Sequence, residues 1–462
     1  MEEALNSLVE EAMMHGADFC DVRLITHRST SIRVENGIAK ELVEALDSGI
    51  SIRVLINGSW GFAATNSMEK RDMHRALMDA VSAAKANRGG GACVAETEAY
   101  QKTVKSPYKI NPRDISIDEK VERILELEGK ARSYSDKIKT TMLSYSDSEF
   151  REVVCNSFGS FIDQTLTRIR VGMRVVAKEG ANRQSAYRSV GKLAGFEVIE
   201  KIDPERFSID AARTAVNLLK AKKAPAGRFT VLMDPGISGL FAHEAVGHNA
   251  EGDLVAFHES IIEGMKGRRI ASEAVTMIDD ATIEGAHGSY YFDSEGTPSR
   301  RKTIIENGIL KGFMHGLESA ALLGEEPTGN CRAAGHQSIP IVRMSNTFFA
   351  PGDYTFEELI EDVDVGVFVR GANWGYVYVE RGQFTCNVEE AYMIRNGEIA
   401  EQLSNVSIGG LTLETLKNIE ACSRDFELKL PGICGKSGQA MWVDAGGPYM
   451  RVRDVVVGGY RS

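Results

Sequence analysis

The chain has 462 residues, 43% of them apolar and 26% charged, and at roughly 100–200 residues per domain this is two or three domains with an ordinary globular core, not a disordered or fibrous polymer. Lys and Arg number 54 against 65 Asp and Glu, and the formal charge of −11 argues against the phosphate backbone of a nucleic acid as the main partner. No apolar run is long enough to span a bilayer, the acidic opening is unlike a secretory signal, and seven scattered Cys without a CxxC pair disfavour a disulfide framework, so the chain reads as cytoplasmic with no membrane partner.

Ala4, Leu5, Leu8, Val9, Ala12 and Met13 recur at three and four residues, which predicts an amphipathic helix ending near Gly16. From Phe19 to Ala64, apolar runs broken at Glu35-Asn36-Gly37, Asp47-Ser48-Gly49 and Asn57-Gly58 predict an antiparallel meander with a turn at each break. Asn66-Ser-Met-Glu69 has the form of a capping box, so a second helix is expected from there to about Asn87, stopped by Gly89-Gly90-Gly91. Residues 92–115 read as a polar surface connection, and a third helix follows, capped by Ser116 and Glu119. Alternation returns from Ile138 to Val198, with turns at Asn156-Ser-Phe-Gly159 and Glu179-Gly180, before a helix over about 209–222. The Lys, Pro and Gly residues of 221–227 mark a boundary. Beyond it, Arg228 to Met233 reads as a strand, Asp234-Pro-Gly-Ile-Ser238 as a turn and helix start, and Gly239 to His248 as a helix. Strands then dominate, with one short helix over Phe356 to Ile360.

The expected fold is therefore α+β. Residues 1–222 form an N-terminal domain, an antiparallel sheet with flanking helices and a further break near 89–115. Residues 223–462 form a C-terminal domain rich in antiparallel β-sheet and carrying one metal-binding helix.

The string HEAVGHNAEGD, residues 243–253, carries the chemistry. His243 and His248 read either as two imidazole ligands for a divalent metal or as helix histidines making ordinary core or surface hydrogen bonds; in the first reading Glu244 is the carboxylate that takes a proton from water and passes it to a leaving nitrogen. Such a metal lowers the pKa of water from 15.7 to about 7 and polarises a carbonyl. The spacing is HExxxH, not HExxH, and on an ideal helix at about 100° per residue an i,i+5 pair points about 140° apart. A π-bulge of roughly 4.4 residues per turn brings the pair to within about 50°. We expect that bulge, or a helix end, at Gly247 and His248, where glycine makes the distortion least costly.

Hydrolytic zinc sites use three protein ligands and an open position. Nearby candidates for the third are Glu251, Asp253, His258 and Glu259, each of which also reads as a solvated group. The distant candidate is Cys434, in Pro431-Gly-Ile-Cys434-Gly-Lys-Ser-Gly438, where a glycine-flanked loop can deliver a thiolate and Lys436 can help keep it ionised. Spacing alone leaves the choice open. The same stretch is a poor phosphate loop: the required first Gly is Leu430, and Gln439 to Val443 reads as a strand where a helix is needed. Gly366 to Gly375 lacks dinucleotide-binding spacing. Glu295 to Arg300, with Arg301 and Lys302, can anchor a substrate carboxylate or form a surface turn. Tyr290 and Tyr291 can donate to an oxyanion or pack, and His287 and His336 can assist catalysis or serve structure.

At these residues the sequence resembles the TldD/PmbA family, also called the modulator of DNA gyrase family, in its TldD-type metalloprotease branch. Beyond HEAVGHNAEGD, the likeness runs through Asp293-Ser-Glu-Gly-Thr-Pro298, Ile305-Glu-Asn-Gly-Ile-Leu-Lys-Gly312, Pro327-Thr-Gly-Asn330, Arg343-Met-Ser-Asn-Thr347, Glu390-Ala-Tyr392 and Cys434-Gly-Lys-Ser-Gly-Gln439. The resemblance implies one zinc per chain on His243, His248 and Cys434, with Glu244 as catalytic base. It also implies a cytoplasmic peptidase for extended or unfolded peptides, and a dimer with a PmbA-type subunit or with itself. The competing expectation, drawn from the family's name, is a non-enzymatic regulatory module that binds a gyrase or toxin–antitoxin partner. Two departures bear on substrate preference: Asn373-Trp-Gly-Tyr-Val-Tyr-Val379 replaces a more Gly-rich strand, and Ala286-His287 stands where basic residues are expected.

Overall fold

The computed structural model describes residues 2–87 and 90–459, so the predicted helix stop at Gly89 lies outside the described residues. The first helix, α1 (Glu2–Met14), buries Leu5, Leu8, Val9 and Ala12, the spacing that predicted it. Strands β1 (Phe19–Glu35), β2 (Ile38–Ile56) and β3 (Ser59–Thr65) form an antiparallel meander. Its two turns are Asn36-Gly37, with φ of 50° and 78°, and Asn57-Gly58, with φ of 48° and 71°, the double left-handed geometry that Asn-Gly adopts at least cost.

The third expected turn does not exist. β2 runs straight through Asp47, Ser48 and Gly49, which pair with His27, Thr26 and Ile25 of β1. The glycine serves a tertiary contact, because a Cβ at Gly49 would overlap the His336 ring.

Helix α2 (Lys70–Ala86) begins after Glu69, which makes no side-chain cap bond; Ser67 Oγ donates to Asp72 at 2.7 Å, so the expected box between Asn66 and Glu69 does not cap the helix. The polar segment expected to be a plain connection contains strand β4 (Gln101–Lys105), parallel to a later strand. Helix α3 (Ile117–Arg132) starts as predicted, with the Ser116 side chain accepting from Glu119 N–H. Strands β5 (Ile138–Asn156), β6 (Phe161–Glu179) and β7 (Asn182–Lys192) complete a seven-stranded sheet of order β3-β2-β1-β5-β6-β4, with β7 also on β6.

One face of this sheet carries helices: Leu77 and Val81 of α2 meet Ile50, Ile52 and Val54, and Ile124 and Leu127 of α3 meet Leu143 and Val171. The opposite face is polar yet also buried. Asp21, Arg23, Arg53, Glu152, Gln164 and Arg168 alternate with the apolar set and face the C-terminal half. There Arg53 pairs with Asp21 and, at 2.7 Å, with Glu295, Gln164 Nε2 donates to Phe292 O at 2.7 Å, and Arg168 Nε donates to His287 O at 2.9 Å.

The second sheet has 13 strands, all from beyond Ala221, and is built on the long strand Gln439–Gly459. That strand pairs antiparallel with Gly227–Met233, Val406–Leu411, Ile419–Leu428 and Gly432–Lys436, and parallel with Asn346–Phe349. The protein is thus α+β with predominantly antiparallel sheets, the class the pattern predicted. The short helices Gly252–Ala256, Leu317–Leu323 and Thr412–Lys417 were not anticipated. Among the described residues no helix is long and apolar enough to cross a membrane.

Removing one partner of a buried ion pair leaves the other uncompensated. Arg53→Ala strands both Asp21 and Glu295, and a loss of ~3–5 kcal/mol is expected, read as a lowered urea midpoint.

Candidate metal centre

The helix that carries His243 begins where the Asp234 side chain accepts from Ile237 N–H at 2.8 Å and Pro235 takes the first turn, where its missing N–H is harmless. It is α-helical over Pro235–Leu240, widens to a π-helix over Phe241–Gly247 and tightens to a 3-10 turn over His248–Ala250. The N–H of His248 reaches back five residues to His243 O. This is the distortion the spacing demanded, and it brings the two imidazoles onto one side, with ring centroids 5.2 Å apart at 82°.

Gly247 serves it for another reason than the one expected. Its φ of −58° and ψ of −49° are ordinary helix, but a Cβ there would overlap Met344 Sδ. Glycine here makes room for a side chain of another segment.

Cys434 arrives on a strand, not a loop. Gly432–Lys436 pairs with the start of Gln439–Gly459, Cys434 opposite Met441, through a turn at Ser437 and Gly438 with φ of 49° and 74°. Cys434 Sγ lies 3.5 Å from His248 Nε2, and the donor atoms of His243, His248 and Cys434 all fall within 4.8 Å of one another. Burial opposes ionisation of the Cys434 thiol, but hydrogen bonds and charge from His243 and His248 outweigh it and bring its pKa down to about 4. His243 Nδ1 is buried with no hydrogen-bond partner. A thiolate, two imidazoles and an unsatisfied buried nitrogen suit a borderline-soft divalent metal.

Behind this set lies a buried charge chain. His248 Nδ1 is 3.0 Å from Glu251 Oε2, Glu251 is 3.2 Å from Lys436 Nζ, and Lys436 is 2.7 Å from both oxygens of Asp253. Burial disfavours the Glu251 carboxylate, yet His248 and Lys436 more than compensate and hold it below the usual range. Glu251 and Asp253 therefore stand behind the imidazole, where a carboxylate orients a metal-binding ring. Lys436 faces these acids and not the Cys434 sulfur, contrary to the expected role. Arg343, fully buried, was missed as a site residue; it donates to Cys434 O at 2.6 Å and Gln439 O at 3.1 Å and so clamps the hairpin backbone. Its signal in the sequence was its place in Arg343-Met-Ser-Asn-Thr347, one of the strings that carry the family likeness.

The remaining candidates lie elsewhere. His258 is exposed and pairs with Glu263 at 2.6 Å, and Glu259 is exposed. Tyr290 donates to Gly329 O at 2.7 Å, Lys302 pairs with Asp279 at 2.9 Å, and Arg301 lies 3.5 Å from Asp280, so none of the three points to the centre. His336 packs under Gly49 beside Asp47, and His287 is buried with neither ring nitrogen bonded.

His243, Glu244 and Cys434 open on a cavity of ≈ 470 Å³. Part of its wall comes from the first sheet, through Arg170 of β6 and Tyr187 and Arg188 of β7, which sequence reasoning did not bring to the site. Trp374, from the strand that departs from the Gly-rich pattern, lines it as well, whereas Tyr376 and Tyr378 meet edge to face and are not among its lining residues.

Profiles of the PmbA/TldA metallopeptidase domains match along the chain: domain 1 at residues 20–88, the central domain at 110–219 and the C-terminal domain at 226–459. The chain belongs to the PmbA/TldD metallopeptidase family. Within it, a metalloprotease of Methanothermobacter thermautotrophicus is 41% identical over 443 residues, 96% of each chain. A zinc metalloprotease TldD homolog of Saccharolobus solfataricus is 29% identical over 453 residues, 98% of this chain and 99% of its own. TldE from Thermococcus kodakarensis shares the fold, with a TM-score of 0.77 at 20% identity over 99% of this chain and 100% of that one. A Thermotoga maritima protein described as a modulator of a DNA gyrase does so with a TM-score of 0.80 at 24% identity, over 99% and 100%.

Two measurements test the geometry of this PmbA/TldD centre. Gly247→Ala overpacks against Met344 and should cost ~1–3 kcal/mol, and with Met344→Ala the pair should be less destabilised than the sum of the single changes. In metal-free protein, the thiolate absorbance difference between wild type and Cys434→Ser should persist as pH falls from 9.0 and collapse only through about 4. The sign follows from a depressed acid: the ionised form, and the stability linked to it, is lost on acidification through the folded value. A rise in absorbance around 9.0 would mark an ordinary thiol.

Proposed function

We propose that the chain is a zinc-dependent peptidase that hydrolyses extended or unfolded peptides, with one zinc per chain on His243, His248 and Cys434 and with Glu244 as general base. The observation that carries this reading is the convergence of three soft-to-borderline donors, from a π-helix and a hairpin 186 residues apart, beside Glu244 in an open cavity. When bound, the metal supplies Lewis acidity toward a peptide carbonyl and acidifies water. Glu244 takes the proton of the attacking water and returns it to the leaving nitrogen. Glu251 fixes the His248 ring through Nδ1, Lys436 keeps Glu251 charged, and Arg343 holds the Cys434 backbone in register, so the donor set is in place before substrate arrives. The printed name of the Saccharolobus solfataricus relative supports zinc over other divalent metals.

The reading extends to organisation. Residues 1–222 and 223–462 act as two domains, with the first supplying part of the wall of the cavity that holds His243, Glu244 and Cys434. The free cysteines fit a reducing cytoplasm. The edge of β2 from Ile38 to Leu46 has no strand beyond it among the described residues, and Ile38, Leu42, Val43 and Leu46 are exposed along it, which supports a dimer with a PmbA-type subunit or a second copy.

Elemental mass spectrometry should find about one zinc per chain in the wild type and markedly less in Cys434→Ser. Glu244→Ala should keep the metal and lose about 10²–10⁴-fold in peptide hydrolysis. Full activity in that variant would remove Glu244 from the mechanism, and a protein that takes up no zinc even on reconstitution would remove the metal.

A further inference from the structure

The cations on the cavity wall differ in what answers their charge. Arg188 is neutralised by Asp210 at 2.7 Å and by Glu389. Lys429 lies 3.5 Å from Glu427 and 3.9 Å from Asp234. Arg370 reaches Glu390 at 3.8 Å and is half exposed. Arg170 has no carboxylate within 4.0 Å among the described residues. Its bonds go to neutral oxygens: Nε donates to Pro431 O at 2.9 Å and Nη2 to Tyr187 Oη at 2.8 Å. Nη1 has no partner among the described residues, and it is not sealed in the interior.

This is a guanidinium held in place before any ligand is present, with one edge of its fork uncommitted, on the wall of the cavity that contains His243, Glu244 and Cys434. Pro431, which anchors it, lies three residues before Cys434 on the same hairpin, so its position is tied to that of the sulfur donor. A half-buried cation without a counter-ion is an incomplete pair, and a planar carboxylate is the group its fork geometry accepts best.

We propose that Arg170 is the core of a carboxylate-binding subsite, with Lys429, two residues before Pro431, as the second cation of the same wall. Resting on the peptidase reading above, it assigns the substrates as peptides bearing a carboxylate close to the cleaved bond, either the C-terminal α-carboxylate or an Asp or Glu side chain. Both sources present the same chemistry to Arg170. The α-carboxylate makes the enzyme trim chain ends, and the side chain makes it cut beside acidic residues.

The test is binding, separated from turnover by using the zinc-loaded Glu244→Gln chain. Four fluorescent peptides of one sequence combine a free or amidated C-terminus with an internal Glu or Gln, and affinities are read by anisotropy. The carboxylate-bearing member of one pair should bind roughly tenfold to a hundredfold tighter than its neutral counterpart, and the pair that shows the gap names the source. Adding Arg170→Gln should close the gap to within about twofold while leaving the neutral peptide unchanged, and Arg170→Lys should keep part of it. Should Arg170→Gln fail to fold by its melting curve, Arg170→Lys decides, and the gap must narrow several-fold in it.

No gap in the parent chain, or a gap that survives both substitutions, overturns the proposal. So does an equal loss for all four peptides, which would make Arg170 a mere brace for Pro431. The two readings fail separately. Equal kcat/KM of the wild type on all four peptides keeps the peptidase and removes the subsite, whereas an Arg170-dependent gap without any cleavage keeps the subsite and removes the peptidase.

Discussion

Two imidazoles five residues apart on one helix converge only where the helix widens. Everything near the centre follows from that constraint. The π segment over Phe241–Gly247 turns His243 and His248 to the same side, and the 3-10 turn after it aims the chain back toward Glu251. A π segment forfeits regular hydrogen-bond geometry and needs support from outside. Here that support is packing: Phe241 packs on Phe384 with ring centroids 4.9 Å apart, and Met344 fills the space that a side chain at Gly247 would occupy.

The third donor is positioned by charge. The Gly432–Lys436 strand carries Cys434, and a few residues' shift in its register would take the sulfur out of reach. Arg343 grips the Cys434 and Gln439 carbonyls of the hairpin and Lys436, at its turn, inserts between Asp253 and Glu251, so Arg343 fixes the hairpin backbone and Lys436 ties it to the segment after the histidine helix. The same Lys436–Glu251–His248 chain orients the ring that meets Cys434. Packing thus shapes the helix, while buried ion pairs place the strand. This division suits the chemistry, since apolar contacts define volume and charged hydrogen bonds define direction.

Over much of its area the N-terminal sheet is buried on both faces, one against helices and the other against the C-terminal half, whereas β2 from Ile38 to Leu46 is exposed. Polar residues on the second face are matched across it, as Arg53 is with Glu295 and Arg168 with the carbonyls of His287 and Ser289. That dense contact lets β6 and β7 supply a wall to a cavity whose candidate metal ligands, His243, His248 and Cys434, come from the other half. Arg170 and Tyr187 reach the site because the two halves are locked together, not because either half alone encloses a pocket.

Much was legible in the sequence. Periodicity located the longer helices and most strands, Asn-Gly pairs located tight turns, and the i,i+5 spacing called for a helix that bulges or ends near Gly247 and His248. These are local properties, set by the dihedral preferences of a few neighbouring residues. The failures share one cause. Asp47-Ser48-Gly49 looks like a turn but is strand because His336 packs on Gly49, Gly247 looks like a backbone hinge but is a socket for Met344, and Lys436 looks like a thiolate partner but belongs to Glu251 and Asp253. In each, residues far apart in the chain decide the role. The sequence by itself determined the fold class, the helix carrying both motif histidines and the need for that helix to bulge or end near Gly247, and its family resemblance pointed to Cys434. Only the tertiary structure placed the Cys434 sulfur 3.5 Å from His248, set Glu251 behind that ring and brought Arg170 to the cavity, because convergence across 186 residues depends on sheet register and buried charge pairing, which no local pattern encodes.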